Sequence, residues 1–340
     1  MKPTSIKDIA TRAKVSITTV SFILNGKGEK MRISRPVIDN VRSIIREMEF
    51  VPNQVARSLR TGNTKTIGLI VEDISNPFFA SIARKIEDKA YKLGYKISYS
   101  STENDVRKAK ELIDMFKARK VDAYIIAPVP GMEAEIKQLV GEGIPVVIFD
   151  RNLHDLDVNF VGVDNFNGAY LATQHLINQG KKHIGFVTVD LDVDQMNNRF
   201  LGYKQALADA GIPFNDEIYR AVAFGSSDLA ISAQLIELFS EQPEIDSVLF
   251  STNYLAIKGL GALKDLDRSL GPDLDIVSYD DHDVFRLHTP PISVIDQPIE
   301  DMAEKIIDIL LQELTRNKTE KQIEQRSMVK IVLQPRLIER

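Results

Sequence analysis

Three short amphipathic helices are predicted within the first fifty residues. Ser5, followed by Asp8, forms a capping box that starts the first helix, and apolar residues then recur at helical spacing. Ser16 can cap a second helix that ends at Gly26, and Ser34 can cap a third. Because the connection between the first two helices is very short, the pattern predicts a helix-turn-helix unit.

From residue 63 onward, strand patterns alternate with helical patterns. Apolar runs such as IGLIV, VDAYIIAPV and IPVVIFD are separated by stretches such as FASIARKIEDKAYKLG. This alternation is typical of parallel sheets with helices on both faces, and the chain contains enough of it for two sheets in series. The predicted fold is an all-α helix-turn-helix domain followed by an α/β body with two lobes, each a parallel sheet flanked by helices.

The charge is distributed unevenly along the chain. The net charge is −5, but residues 1–62 carry 12 Lys and Arg against 5 Asp and Glu, so this head has a net charge of +7 and the remainder −12. A basic head on an acidic body favours a polyanion as the partner of the head. The alternative is a chance cluster of basic residues on a solvated face.

The composition excludes several classes of site. The chain contains no cysteine, which excludes disulfides, thiolate nucleophiles and cysteine metal sites. We find no apolar window long enough to span a membrane and no apolar run of a signal peptide near the N-terminus, so we expect a cytoplasmic protein. The DDHD motif at 280–283 invites a metal interpretation, but no other histidine cluster supports it, and we expect neither a metal nor a cofactor.

The second predicted helix has the features of a DNA-recognition helix. An α-helix fits the major groove, where side chains on its exposed face reach base edges. On this helix those side chains are Ile17, Thr18, Ser21 and Phe22. Ser16 and Thr19 lie near the helix N-terminus and suit phosphate oxygens. The alternative is an ordinary three-helix domain whose outer face is merely solvated.

Several stretches make the prediction more specific. SIKDIATRAKVSITTVSFILNG and VPNQVARSLRTGNTKTIGLI resemble the head, hinge helix and first strand of the lactose/galactose-repressor (LacI/GalR) family, and VGVDN, SYDD and PRLIER match as well. The resemblance runs essentially from end to end. It implies a homodimeric regulator of transcription that binds operator DNA, with a body similar to the periplasmic sugar-binding proteins.

The resemblance also implies the domain boundaries. The lobes are expected to exchange chain segments, with the helix PIEDMAEKIIDILLQEL in the first lobe and the final strand MVKIVLQP in the second. The expected segments are the helix-turn-helix domain at 1–50, the hinge helix and linker at 51–62, the first lobe at 63–164 plus 296–325, and the second lobe at 165–295 plus 326–340.

The resemblance assigns DNA contacts in the hinge to Asn53, Val55, Ala56, Arg57 and Leu59. Leu59 is expected to wedge between base steps in the minor groove, where unstacking costs a few kcal/mol that added contacts offset. A helix this short is marginal in water, so we expect the hinge to fold on binding.

Phe22 departs from the family pattern, because many members have an arginine there that contacts guanine. Phenylalanine cannot donate hydrogen bonds, so this side chain either contacts a thymine methyl group or packs inward.

Candidate ligand contacts follow the strands of the body. Ligands of open α/β folds bind outside the carboxyl ends of strands, and carboxylates, amides, a guanidinium and aromatic rings at such positions suit a polyhydroxylated ring. The candidates are Phe78, Phe79, Asp150, Asp164, Gln195, Arg199, Phe224, Asn253 and Asp280. The resemblance independently implies effector contacts at Phe78, Asp150, Arg199, Asn253 and Asp280.

Some of these positions have structural alternatives. Asp164 can cap the following helix, Phe79 can be a core residue, and Arg151 is interpreted as a structural ion pair. Tyr254 stands where an aspartate is common in the family, which changes that corner of the pocket.

The predicted function is a repressor whose operator affinity is controlled by a small molecule, a sugar, bound between the lobes. A sugar phosphate, a purine or a protein partner are the alternatives for the effector. A two-lobed α/β enzyme is disfavoured, because the chain lacks G-x-G-x-x-G after the first strand and lacks Walker, G-x-S-x-G and H-E-x-x-H motifs. A transport protein is disfavoured because it needs a signal peptide and no DNA-binding head.

Overall fold

The computed structural model describes residues 4–50, 63–271, 274–319 and 328–340. The chain divides into two compact units, residues 1–64 and residues 65–340. The described residues of the first unit form three helices, α1 (Ile6–Ala13), α2 (Ile17–Leu24) and α3 (Arg35–Glu47). Their apolar faces meet in one small core, formed by Ile9, Ala10, Ala13, Val20, Ile23, Ile38, Val41 and Ile44.

Local sequence signals fix the ends of these helices. Ser5 and Asp8 form the predicted capping box of α1, in which the Ser5 side chain accepts from the Asp8 amide and the Asp8 carboxylate accepts from the Ser5 amide. Gly26 has a φ angle of +69° just beyond the end of α2, a left-handed conformation that glycine adopts without strain. Ser34 holds the N-cap position of α3 without a side-chain cap bond.

The first lobe of the second unit contains a six-stranded parallel sheet. Its spatial order is β11 (Lys330–Leu333), β5 (Asn159–Val163), β4 (Val146–Phe149), β3 (Ala123–Ile126), β1 (Thr66–Val71) and β2 (Lys96–Ser101). The central strands are buried on both faces, as continuous apolar runs predict. The flanking helices are α4 (Pro77–Lys92), α5 (Val106–Ala118), α6 (Glu133–Gly141) and α12 (Ile299–Thr319).

The second lobe has a sheet of the same size. Its order is β12 (Arg336–Ile338), β10 (Ser293–Asp296), β9 (Asp275–Tyr279), β8 (Ser247–Phe250), β6 (Ile184–Asp190) and β7 (Tyr219–Ala223), and all pairs are parallel except β12 with β10. Its helices are α7 (Asn165–Asn178), α8 (Asp194–Asp209), α9 (Asp228–Glu241), α10 (Asn253–Asp265) and α11 (Asp283–Leu287), and a 3-10 turn at Asp216–Ile218 precedes β7.

The chain passes between the lobes three times, after β5, after β10 and after β11. Helix α12 packs on the first lobe, where Met302, Ile306 and Leu310 enter the same core as Phe79 and Phe149. This arrangement allows the lobes to move about a short bundle of connections while each keeps its own cores.

The assignment of 326–340 as a whole to the second lobe was wrong. Lys330–Leu333 pairs in parallel with Asn159–Val163 in the first lobe, so the third crossing lies at 334–335 and only β12 belongs to the second lobe. The physical reason is the open edge of β5, whose unpaired backbone groups β11 satisfies. The alternating exposure of β11 is that of an edge strand.

Within the described residues, no helix is long and apolar enough to cross a membrane.

Candidate functional site

The N-terminus of α2 is held by its own hydroxyl groups. The Ser16 side chain accepts a 3.0 Å hydrogen bond from the Thr19 amide, and its Oγ lies 2.9 Å from Thr19 Oγ1. Ser16 is exposed and Thr19 is half-buried. The pair therefore caps the helix at the end where backbone N–H groups are available to a phosphate.

The outer face of α2 carries the four predicted base-contacting residues. Ile17 and Thr18 are exposed, whereas Ser21 and Phe22 are half-buried. Phe22 is not among the residues that form the buried core of this domain or pack against it. The predicted hinge contacts Asn53, Val55, Ala56, Arg57 and Leu59 lie outside the described residues.

A cleft opens between the two lobes of the second unit, at the carboxyl ends of their strands. Seven of the nine predicted ligand residues line it together: Phe78, Phe79, Asp150, Gln195, Arg199, Phe224 and Asp280. Residues that follow different strands meet in this cleft because the carboxyl ends of parallel strands lie at one edge of each sheet.

Asp150 and Asp280 occupy equivalent places in the two lobes. Asp150 directly follows β4, and Asp280 directly follows β9. Each has a left-handed backbone, with φ of 65° and 69°. Aspartate tolerates this conformation better than most residues. Gln195 Nε2 donates to Asp150 Oδ2 at 3.2 Å, and Gln297 Nε2 donates to Asp280 Oδ1 at 2.5 Å. Both carboxylates are thus held in place at the edge of the cleft.

Arg199 is a buried cation of the cleft. The residue is 3% exposed. Arg199 Nε donates to Asn165 Oδ1 at 2.9 Å, and Nη1 donates to the Ser251 carbonyl. The guanidinium also lies over the Tyr279 ring, 3.5 Å from the centre of the ring. Among the described residues, no carboxylate oxygen lies within 4.0 Å of its nitrogens. A buried guanidinium without a direct carboxylate partner is costly unless a ligand completes its bonding.

Burial controls the protonation of the two carboxylates. It raises the pKa of Asp150 to about 7, while the Arg199 charge opposes this shift and the Asp280 charge adds to it. Burial also raises the pKa of Asp280, against the charge of Arg199 and the hydrogen bond from Gln297. Both carboxylates are therefore more easily protonated than an exposed aspartate and gain from a ligand that donates hydrogen bonds to them.

Aromatic side chains form the apolar part of the cleft. The rings of Phe78 and Phe79 lie 5.0 Å apart in an edge-to-face arrangement, and both residues are nearly buried. Phe79 also contacts Phe149 in the core, so it serves both as core and as cleft wall. Phe224 approaches from the second lobe and is 37% exposed. Such faces suit the apolar side of a flat ring.

Two predicted residues lie away from the cleft wall. The Asp164 carboxylate caps α7 by accepting from the Asn167 amide at 2.9 Å, and it also accepts from Gln334 Nε2 at the third crossing. This is the capping role that the sequence offered as the alternative. Asn253 is buried in the first turn of α10, and its neighbours Thr252 and Tyr254 line the cleft instead.

Several polar residues that line the cleft were not predicted as ligand contacts, among them Asn76, Gln297 and Arg151. Asn76 caps α4, and Gln297 directly follows β10, a strand that was not predicted from the sequence. Recognising β10 as a strand would have placed Gln297 at its carboxyl end, beside Asp280. Arg151 also lines the cleft, and its Nη2 forms the expected ion pair with Glu72.

Several buried polar atoms near the cleft are unsatisfied. Within the described part of the chain, Arg151 Nε, Gln195 Oε1 and Asn253 Nδ2 have no hydrogen-bond partner. Buried polar atoms are normally paired, because an unmade bond costs about 1–3 kcal/mol. Their concentration near one cleft indicates a site built for a polar molecule.

A helix-turn-helix domain followed by a two-lobed body with a polar cleft defines a DNA-binding transcription regulator controlled by a ligand. Residues 5–53 match the model of bacterial regulatory proteins of the lacI family, and residues 64–331 match the model of periplasmic binding proteins and the sugar-binding domain of the LacI family. This chain belongs to the LacI family.

Individual proteins agree with this assignment. The transcriptional repressor PurR of Haemophilus influenzae is 30% identical, with 92% of this chain and 91% of PurR covered. The ribose operon repressor of Halalkalibacterium halodurans is 31% identical, with 92% and 91% covered. The structure of the lac repressor dimer bound to operator and an anti-inducer shares the fold, with a TM-score of 0.84 at 21% identity over 99% of this chain and 98% of that one.

Proposed function

We propose that this protein is a homodimeric repressor of transcription whose affinity for operator DNA is controlled by a sugar bound between the lobes. It acts by binding rather than catalysis, in the cytoplasm, where the chromosome lies. The sugar acts through its different affinity for two arrangements of the lobes, since a ligand that binds both equally shifts nothing.

The arrangement around Arg199 carries the sugar proposal. A sugar offers several hydroxyl groups, each a donor and an acceptor, on a ring with apolar faces. Asp150 and Asp280 supply acceptors from opposite lobes, and the Arg199 guanidinium lies close enough to oppose the raised pKa of both. Phe78 and Phe224 provide apolar surfaces in the same cleft. A molecule that forms hydrogen bonds with residues of both lobes at once favours closure of the lobes.

Ribose is the first sugar to test, because one relative is a ribose operon repressor. A purine is the second candidate, and the similarity to PurR favours it. The residues of the cleft favour the sugar, because two carboxylates that accept several hydroxyl protons match a polyol better than a base with few donors.

The dimer is proposed from the shared fold, since the lac repressor of that fold is a dimer on its operator. Two copies present two recognition helices, which matches a palindromic operator. The proposed DNA contacts are those predicted on α2 and in the hinge.

The deciding experiment combines a thermal-shift screen with operator binding. A ligand that binds only the folded state raises the melting temperature. We expect a shift with ribose or another free sugar and a change of operator affinity with the same compound. A matched protein lacking residues 1–62 should keep the shift and lose DNA binding, because the cleft lies wholly in residues 65–340. A shift only with purines or sugar phosphates would contradict the sugar, and loss of both activities on deletion would contradict the modular scheme.

A further inference from the structure

Helix α2 lacks the side chains that make the strongest base contacts. Arginine or lysine with guanine, asparagine or glutamine with adenine, and acidic residues with cytosine are the usual hydrogen-bonding pairs in the major groove. The sequence of α2, ITTVSFIL, contains none of these residues. Basic residues flank the helix instead, with Lys14 before it and Lys27 after it, where they suit phosphates.

The outer face of α2 is partly apolar. At about 100° per residue, Ile17, Ser21, Thr18 and Phe22 fall at about 0°, 40°, 100° and 140° around the axis, and the buried Val20 and Ile23 lie on the opposite side. Ile17 is 47% exposed, and Phe22 is half-buried outside the core. Two large apolar side chains therefore border the face that a DNA-recognition helix presents to the groove.

Most polar groups of this helix are already engaged. Ser16 and Thr19 bond to each other at the N-terminus. Asn25, which directly follows the helix, donates from Nδ2 to the Ser21 carbonyl at 2.6 Å, and the same nitrogen lies 3.5 Å from Ser21 Oγ. An amide held in this way is not arranged for a bidentate contact with adenine. The side chains available for base contacts are then mainly Ile17, Phe22 and Thr18, which carries a methyl group beside its hydroxyl.

We infer that α2 recognises its operator half-site chiefly through the C5-methyl groups of thymine. The thymine methyl is the one apolar group that base pairs present in the major groove, and threonine methyl and phenylalanine are suited to it. The inference rests on the proposed function and adds the bases that the protein selects. Phosphate contacts from the basic head supply affinity without sequence preference, whereas the methyl contacts supply discrimination.

The test begins by selecting operators from a random duplex pool with the full-length protein, in the absence and presence of the sugar identified by thermal shift. We expect thymines at the half-site positions protected by α2. Replacing each of these thymines by uracil removes only the methyl group and preserves pairing. Each replacement should weaken binding about fourfold, the factor that corresponds to burial of one CH₂ group. Uracil at thymines outside the α2 contact serves as the matched control and should have no effect.

Two further measurements exclude a purely structural effect. Exchanging a sensitive T·A pair for C·G should weaken binding, and 5-methylcytosine at the same position should restore part of the loss. Phe22→Ala should fold, since Phe22 lies outside the core, and should make binding insensitive to uracil at one position only. Phe22→Arg should instead gain a preference for guanine there.

The outcomes separate this inference from the proposed function. Specific binding that is unchanged by uracil, or that is lost when 7-deazaguanine removes the guanine N7 acceptor, would overturn methyl recognition while leaving the regulator intact. Failure of the full-length protein to select any sequence, with or without the sugar, would overturn both.

Discussion

Gln195 Nε2 donates a 3.2 Å hydrogen bond to Asp150 Oδ2 and thereby joins the two lobes directly across the ligand cleft. Gln195 lies in α8 of the second lobe, and Asp150 follows β4 of the first. The acceptor of this bond is also a carboxylate whose pKa is raised by burial, to about 7. Closure of the lobes, binding of the ligand and titration of Asp150 therefore involve the same atoms.

Sugar affinity is expected to increase with pH between about 6 and 8. Hydroxyl groups that donate to Asp150 favour its ionised form, so binding releases a proton from a group whose pKa is about 7 in the free protein. Below pH 7 the affinity should fall by up to about tenfold per pH unit for one proton. Calorimetry in two buffers of different ionisation enthalpy measures the proton release. An affinity that stays constant from pH 6 to pH 8 would contradict this coupling.

Asp150→Asn is expected to stabilise the ligand-free protein at pH 8. The pKa of the Asp150 carboxyl is higher in the folded protein than in the unfolded chain, so the folded protein binds this proton more tightly. The stability that the proton contributes is lost as pH rises from about 4 to about 7. Asparagine removes the buried charge, which should raise the free energy of unfolding by roughly 1–4 kcal/mol at pH 8 and by little at pH 4. Denaturant-induced unfolding at both pH values measures this change in the free energy of unfolding. Asp155→Asn, at an exposed aspartate, is the control.

Arg199→Met is expected to abolish the response to sugar. Methionine is an unbranched, uncharged side chain that lacks every donor of the guanidinium, so sugar affinity should fall by at least about a hundredfold. Operator binding by the ligand-free protein should remain, because DNA contacts lie in the other unit. Arg199→Lys should recover only part of the affinity, since a lysine cannot reproduce the planar fork. Arg107→Met, at an exposed arginine, is the matched control. Normal sugar affinity in Arg199→Met would show that Arg199 does not contribute to the sugar-binding site.

Arg340→Ala is expected to weaken sugar binding about tenfold without touching the ligand site directly. Arg340 donates from Nη1 and Nη2 to the two oxygens of Asp281, at 3.0 and 2.7 Å, and its amide donates to Ser293 Oγ. This bidentate pair fixes the turn that carries Asp280. Arg336→Ala, which removes an exposed pair with Asp296, should bind sugar normally. Equal effects of the two substitutions, measured by calorimetry, would show that the pair has no positioning role.

Local signals in the sequence predicted much of the fold. The capping box at Ser5 and the apolar stripes were sufficient for the first domain, because helix ends depend on a few neighbouring residues. Asp150 and Asp280 were predicted because both follow apolar runs that were recognised as strands, IPVVIF and LDIVSY. Gln297 was missed because the four-residue strand β10 was not recognised, so the end of that strand was not searched for ligand contacts.

Pairing partners could not be predicted in the same way. The sequence KIVL has strand character, but whether β11 joins the first or the second sheet depends on which edge is open after α12 has docked. For Asp164 the sequence offered both a ligand contact and a helix cap, and the choice depends on where the preceding strand ends, which is a matter of backbone geometry that composition does not specify.

Helix α12 and strand β11 lie near the C-terminal end of the sequence, and this position determines the order in which the protein can fold as it is synthesised. The first lobe is encoded mostly by 66–163, yet its core includes Met302, Ile306 and Leu310, and its β5 edge is paired only by Lys330–Leu333. The second lobe lacks only the short edge strand β12 until the end. On the ribosome, the lobe that emerges first is therefore completed only after nearly the whole chain has been made, and its apolar sheet face stays exposed until then.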